Sequence, residues 1–412
     1  MECYKENKIR NIGKISQIRK QNSMYLLNLI REYHPVSRDL LAKKGKMSKA
    51  TITRITSNML KREIITESER VDTPRGRKPV LLSPNLQKCL LAGIFITPSY
   101  TDIGIMDING NVIAEKKIKT YPEEGADLTF KRIKEIKDLI IKSRNISSDQ
   151  IMGYGIAIPG FVNIETTSMD VSVSLGWKSE ILIGSLEKFL GERKIYIDGL
   201  SEAVTQNEYY FGWPELRQPN KSILFLIASE GIAATFMFDG KIYRGHNNDV
   251  GDLGHIPSLR GGPVCRCGNR GCPEASVSEA AIIKRLKSLY SDLGSDQGYK
   301  NKSDNDLLSD LLQGKIIGKE FEDLVDDISL ELAWVILVGI KCYDPSCVVV
   351  GGSVFMAGGQ FLIKRTRDQL KKMILHESGK KIQFLLAKSS KSNVVAAASI
   401  AYRTLFGPLS NS

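Results

Sequence analysis

The stretch from Gly240 to Ser278, GKIYRGHNNDVGDLGHIPSLRGGPVCRCGNRGCPEASVS, holds three of the chain's seven cysteines, at Cys265, Cys267 and Cys272, with His255 ten residues upstream of the first. One imidazole and three thiols make a tetrahedral Cys3His set, and because the protein fills all four positions the expected zinc site is structural and closed. Gly261, Gly262, Gly268 and Gly271 supply the tight turns that bring four ligands to one ion. Three free thiols in a loop is the competing reading, and the C-x-C-x4-C spacing with its upstream histidine argues against it. An odd cysteine count with this crowding fits metal in a reducing compartment better than disulfides. Ser276 and Glu279 have the spacing of a capping box, which predicts a helix starting just after the site.

Outward from that stretch the pattern is α/β. Just before it, ILFLIAS is followed by AATFMFDGKIYRG, turning at Asp239-Gly240. A similar hairpin occurs earlier: LLAGIFI, YTDIGIMDI and NVIAEKKI read as strands, the last two joined at Asn109-Gly110. Two comparable hairpin openings predict an internally duplicated α/β body. A helix from about Leu128 to Ser143, an apolar strand IMGYGIAI and a later strand within CVVVGGS complete the outline, and SDLGSDQGYKNKSDNDLLSD reads as a polar surface loop. The expected division is a head of residues 1–88 and a body of residues 89–412, with two lobes of about 89–205 and 206–412 and a linker near Pro84–Lys88.

The head differs from the body in charge. Residues 1–88 hold 20 Lys+Arg against 8 Asp+Glu, which is the whole net charge of +12, while the remainder holds 38 of each. A neutral body with a basic head points to a polyanionic partner, usually nucleic acid. Ile18, Leu26, Leu29, Ile30 and Tyr33 recur at helical spacing, predicting a first helix over Ser16–Tyr33 that ends at His34-Pro35. Ser37 is a candidate N-cap for a second helix, Arg38 to about Lys44, with Leu40 and Leu41 facing inward and Gly45 breaking it. A third helix is predicted over Ser48–Arg62, and IITESERVDTPRGRKPVLLSP reads as two strands around a basic loop. Helix, helix-turn-helix and hairpin in that order make a winged helix-turn-helix.

On the third helix, Ile52, Ile55, Thr56 and Met59 share the inner side. Ala50, Thr51, Arg54, Ser57, Asn58 and Lys61 share the outer one, with Ser48 and Lys49 at its start. That outer face offers donors, acceptors and cations suited to base edges and phosphates in a major groove, although an ordinary solvated face has similar composition. The hairpin tip, Pro74-Arg75-Gly76-Arg77-Lys78-Pro79, adds an extended basic element suited to a narrow minor groove. Double-stranded operator DNA is therefore the expected partner. No run of about 18 uncharged apolar residues exists, so no membrane span is expected. The polar start MECYKENKIRNIGKIS does not read as a secretory signal, so a cytoplasmic location is expected.

Nearly the whole chain resembles the ROK family of repressors, open reading frames and kinases, in particular its xylose- and N-acetylglucosamine-type repressors. The resemblance rests on the head segment QIRKQNSMYLLNLIREYHPVSRDLLAKKGKMSKATITRITSNMLKREIITE with GRKPVLL, and on the cysteine-rich stretch quoted first. It implies a winged helix-turn-helix joined to an actin/hexokinase-like (ribonuclease H-like) α/β body, a structural zinc on His255, Cys265, Cys267 and Cys272, and assembly as a homodimer or homotetramer. It also implies sugar contacts at Gly160, Asp252, His255 and Glu274. Asp252 replaces the usual Glu and Ser174 a common Asn, so the effector is expected to be a sugar, a sugar phosphate, another small molecule, or none.

The resemblance also shows what a kinase would need. The first phosphate loop corresponds to Phe95-Ile96-Thr97-Pro98-Ser99, without its Asp and Gly, and the second to Ser229–Thr235, where only Gly231 remains and Glu230 adds negative charge. The catalytic Asn-Asp pair corresponds to Gly199-Leu200, and leucine cannot accept a proton. Asp198 is a candidate displaced base, about 6–7 Å along a strand from that position. The expected protein is a ligand-responsive repressor with no ATP cofactor and no catalytic residues. The alternatives are a sugar kinase with a DNA-binding head, and a DNA-binding protein whose body is a dimer scaffold or a sensor of a protein partner.

Overall fold

The structure is a computed structural model that describes residues 22–23, 25–68, 80–163, 168–172, 174–191, 194–218, 220–246, 248, 250–258, 261–293, 302–374, 382–388 and 392–406. They group into two compact units, one reaching Gln206 and resuming at Ser392, the other covering Asn207–Lys391.

The first unit opens with the head. Helix α1 (residues 25–33) is followed by β1 (Val36–Ser37), α2 (Arg38–Gly45), α3 (Lys49–Lys61), β2 (Ile65–Ser68) and β3 (Leu81–Pro84). Strand β3 lies between β1 and β2 and pairs antiparallel with both, so the wing has a strand that the sequence pattern did not reveal. Leu26, Ile30, Val36, Leu41, Ile52, Ile65 and Leu82 are fully or almost fully buried and form the head's core. Ser37 and Ser48 cap α2 and α3, their hydroxyls accepting from the backbone N–H of Leu40 and Thr51.

One expectation for α2 fails: Leu40 is exposed, and only Leu41 turns inward. The helix ends at Gly45, within a residue of the expected end, and Gly45 is buried, a Cβ there coming within 3.3 Å of Leu29 Cδ1. The turn is made by Lys46, whose φ of 49° puts it in the left-handed region.

The body contributes two five-stranded sheets of one design. In the first, β4 (Leu90–Ile96), β5 (Tyr100–Asp107), β6 (Val112–Lys119), β7 (Ile151–Ile158) and β11 (Ile195–Gly199) are ordered β11-β7-β4-β5-β6. Strands β11, β7 and β4 run parallel and β5 and β6 complete an antiparallel meander. Between β7 and β11 lie the antiparallel strands β8 (Phe161–Asn163), β9 (Ser168–Ser172) and β10 (Trp177–Ile181). Helices α4 (Gly125–Ser143), α5 (Leu182–Leu190) and α6 (Leu200–Phe211) precede the second sheet.

In that second sheet, β12 (Ser222–Ala228), β13 (Ile232–Phe238), β14 (Lys241–Ile242), β15 (Cys347–Gly351) and β16 (Gln383–Leu386) are ordered β16-β15-β12-β13-β14. The first three again run parallel, and the last two join antiparallel. The duplication read from the two hairpins is therefore present strand for strand. Both meander turns use left-handed backbone where the sequence placed them: Gly110 at φ 87°, and Asp239-Gly240 at 51° and 78°.

Helices α7 (Glu274–Val277), α8 (Glu279–Asp292), α9 (Asp304–Leu312), α10 (Lys319–Tyr343) and α11 (Gly352–Met373) belong to the second unit. Helix α12 (Asn393–Phe406) closes the described chain and packs in the first unit, on β4, β7 and β5. The segment expected as a loop before residue 310 contains the start of α9, capped by Ser303, with Leu307 and Leu308 buried. Ser276 caps nothing: it lies inside the single turn of α7, and Ser278 is the N-cap residue of α8. Among the described residues, no helix is long and apolar enough to cross a membrane.

Candidate metal centre, pocket residues and helix-turn-helix face

His255 is placed by a loop pressed onto β13. Gly251, at φ 106°, and Gly254 permit that approach, since a Cβ on either would lie 1.8 Å from Ala234 O or 2.3 Å from Ile232 O. The cysteines sit on a knuckle. Cys265 N–H donates to Asn269 O, Gly268 N–H to Cys265 O, and Gly271 N–H to Pro263 O, with Gly268 and Gly271 left-handed at 92° and 77°. The ligand atoms of His255, Cys265, Cys267 and Cys272 all lie within 4.8 Å of one another.

Cys265 Sγ is 3.4 Å from His255 Nδ1, and Cys267 Sγ is 3.7 Å from Cys272 Sγ. Tetrahedral zinc with ordinary bond lengths requires edges of about 3.5 Å for nitrogen to sulfur and about 3.8 Å for sulfur to sulfur. The residues present fit the ion. Burial pushes the Cys272 thiol up to about 12 and raises that of Cys265, while the backbone N–H of Asn269 lowers that of Cys267. Two buried sulfurs thus resist ionising until a cation compensates them.

With Nδ1 facing the sulfurs, His255 Nε2 faces two carboxylates, 3.6 Å from Glu274 Oε1 and 3.8 Å from Asp252 Oδ1. Carboxylates that accept from a ligating imidazole orient it and fix its tautomer, and these two stand just beyond hydrogen-bond distance. Glu274 is buried; its Oε2 accepts from Ile232 N–H at 3.0 Å, and Arg266 Nε lies 2.8 Å from its Oε1. The side chain of Arg266 was missed in the sequence, where a residue between two cysteines carries no signal of where it points. The structure brings Asp252, His255 and Glu274 together in the second unit; Gly160, exposed with φ 126°, belongs to the first.

The positions expected to lack kinase chemistry are structurally committed elsewhere. Phe95 is buried in a cluster with Ala157, Ala203, Ala396, Ala397 and Ile400, and Leu200 packs against the same cluster. Thr97, in place of the phosphate-loop glycine, closes a tight turn, its N–H and hydroxyl both donating to Tyr100 O. Asp198 is fully buried; its carboxylate accepts from Gly199 N–H at 3.0 Å and from Gln206 Nε2 at 2.9 Å. It is the penultimate residue of β11, whereas Leu200 begins α6, so the two do not share the alternating face that a displaced base requires.

On the head, Ile52, Ile55, Thr56 and Met59 of α3 are buried, while Ser48, Lys49, Ala50, Arg54, Ser57, Asn58 and Lys61 are exposed and Thr51 is half-buried. Thr53 is exposed as well. Ser48 and Thr51 are 2.9 Å apart through their hydroxyls, and Lys49 pairs with Asp39 at 2.6 Å. Arg38 ties the motif together, donating from Nε to Thr56 Oγ1 at 3.1 Å and pairing with Glu67 at 2.8 Å. Arg75, Arg77 and Lys78 lie outside the described residues.

Comparison with known proteins agrees with this architecture. The chain is 25% identical over 360 residues to the xylose repressor of Caldicellulosiruptor bescii, covering 86% of this chain and 88% of that one. Its fold is similar to the crystal structure of a ROK family transcriptional regulator, a homologue of the E. coli MLC protein, with a TM-score of 0.78 at 20% identity over 95% of this chain and 98% of that one. The body also resembles a ROK family glucokinase from Streptomyces griseus, solved with glucose and AMPPNP, with a TM-score of 0.63 at 20% identity over 76% of this chain and 98% of that one. The ROK family model matches residues 92–404, and the chain belongs to the ROK family.

Proposed function

We propose that this protein is a DNA-binding transcriptional repressor of carbohydrate-utilisation genes, acting in the cytoplasm as a homodimer or homotetramer, with operator binding modulated by a sugar or related small ligand. The observation that carries the reading is the pairing of a helix-turn-helix, whose third helix exposes Arg54, Ser57, Asn58 and Lys61, with a body in which Phe95 and Leu200 stand in one apolar cluster. The exposed face of α3 reads base edges, and the wing with Arg75, Arg77 and Lys78 follows the backbone into the adjacent minor groove. Recognition by a two-fold assembly matches the symmetry of a palindromic site.

His255, Cys265, Cys267 and Cys272 hold one structural zinc, which neutralises buried thiolates and ties the knuckle to the loop carrying the histidine. Asp252, His255 and Glu274 of the second unit contact the effector. The body does not transfer phosphate, because phosphoryl transfer needs a base and a phosphate cradle, and Leu200 stands at the first while Phe95 and Glu230 stand in the second.

The test is a gel-shift titration of full-length, zinc-loaded protein against genomic duplex fragments, run beside an ADP-release assay with xylose, glucose or N-acetylglucosamine at millimolar concentration. Selective retention of some fragments without sugar-dependent ADP release is expected. Turnover with no selective retention contradicts the reading.

A further inference from the structure

Helix α12 touches both the head and the strand that ends at the former base position. Its seam on the first sheet is backbone against backbone: a Cβ on Gly93 would lie 2.0 Å from Val394 O, and one on Gly155 would lie 1.9 Å from Ala397 O. Such a seam fixes the helix against the sheet at these two points, so a displacement of its support moves it as a rod. Its first turn is fastened, Asn393 Nδ2 donating to Asp102 Oδ2 at 2.8 Å.

Its last turn makes two different connections. Tyr402 Oη donates to Asn28 Oδ1 on α1, and Asn28 Nδ2 donates to Phe406 O at 2.7 Å. The head's first helix thereby satisfies a carbonyl at the end of α12, where intrahelical partners run out. Arg31 of α1 stands 5.4 Å from the centroid of the Tyr402 ring. The next residue, Arg403, reaches 4.0 Å from Asp198 Oδ2, the buried carboxylate two residues before Leu200. Leu200 itself packs on the cluster to which α12 contributes Ala396, Ala397 and Ile400.

We propose that α12 is a linkage rod, through which the Asp198–Leu200 segment controls how firmly α1 of the head is held, by way of Arg403 and the Tyr402–Asn28 contact. A ligand that favours one arrangement of residues 198–200 over another would bias the head only if this chain of contacts has two states, which is the requirement for any coupling between distant sites. Phe95 and Leu200, the positions matched to a kinase's acids, thus lie in the packing between the end of β11 and α12.

Hydrogen exchange of the full-length, zinc-loaded protein tests it. Asn28→Ala removes the contact directly, while Arg403→Met and Asp198→Asn act only at the far end of the rod. Each is expected to speed exchange in residues 25–33 by about fivefold, the equivalent of one lost hydrogen bond, and to leave the β6 strand unchanged. Arg403→Met added to Asn28→Ala is expected to speed it no further. Arg403 is partly exposed, with 27% of its side chain accessible, so its variant folds even where Asp198→Asn does not. The proposal is overturned if Arg403→Met leaves residues 25–33 within about twofold of the parent while Asn28→Ala does not, or if exchange rises equally throughout the first unit. No DNA is present in the measurement, so the linkage and the repressor reading fail separately.

Discussion

The two sheets of the body share one strand order and present it to their helices differently. In the first, Gly93 and Gly155 bring the backbone of α12 into direct contact with β4 and β7. In the second, large side chains form the layer against its helices, Leu224, Val348 and Val350 packing in one core with Leu332 and Ile336 of α10 and Val354 and Phe355 of α11. Leu90, Ile94 and Ile156 do the same with Phe130 and Ile133 of α4 on the face of the first sheet that α12 does not cover. A glycine seam is stiff and intolerant, whereas an aliphatic layer can repack around a changed residue. The second sheet is distinguished instead by the chain beyond β14, where a loop and a knuckle gather the four metal ligands. One topology therefore carries a close-packed helix that touches the head in one half and a His255–cysteine cluster in the other.

Substitutions at the seam should separate the halves most sharply. Gly155→Val places atoms inside Ala397 O and is expected to cost about 3 kcal/mol or more, preventing folding of the first unit. In the second sheet, Gly351→Ala meets only Ala387 Cβ at 3.2 Å and the Phe225 ring at 3.3 Å, so a loss of about 1 kcal/mol is expected. Thermal unfolding followed by circular dichroism measures both, and equal losses would erase the distinction between seam and layer.

Metal removal should act on the other half. Cys272→Ser is expected to abolish the zinc content, about one ion per chain in the parent, and to lower the melting temperature of the second unit by about 10 °C. Elemental analysis with calorimetry checks this, and an unchanged metal content removes the knuckle from the account. The apolar cluster of the first half makes a smaller prediction. Leu200→Asp should destabilise by about 2 kcal/mol, because a carboxylate enters a packed apolar site, and should yield no ADP release with any of the three sugars. Smallest is the head cap. Ser48→Ala should cost about 1 kcal/mol of helix α3 stability, seen as faster amide exchange in its first turn.

Local chemistry made part of this legible in advance. Asn109-Gly110 and Asp239-Gly240 announce turns through backbone geometry alone, and the cysteine spacing with His255 upstream announces the cluster that the fold gathers. The inner face of α3 follows from helical period. What was hidden depended on tertiary neighbours. Leu40 reads as core until α2 is oriented, and the left-handed cap falls on Lys46 rather than on Gly45, which is buried beside Leu29. Ser276 has the capping-box spacing to Glu279 in the sequence, but the single turn of α7 takes it inside a helix and leaves Ser278 as the N-cap residue of α8. Asp198 looks available as a base until its burial and its bond to Gln206 are known. Nothing local announces that α12, arriving after the whole second lobe, returns to the first sheet; its run of alanines opposite Gly93 and Gly155 acquires meaning only once they touch.

The proposed role of the head is open to direct measurement by footprinting the full-length, zinc-loaded protein on the genomic fragments it retains. The account predicts a protected site with two related halves, bound about tenfold or more weakly by Arg54→Ala, and with affinity falling steeply as salt rises. Uniform, sequence-independent protection that Arg54→Ala leaves unchanged would contradict it.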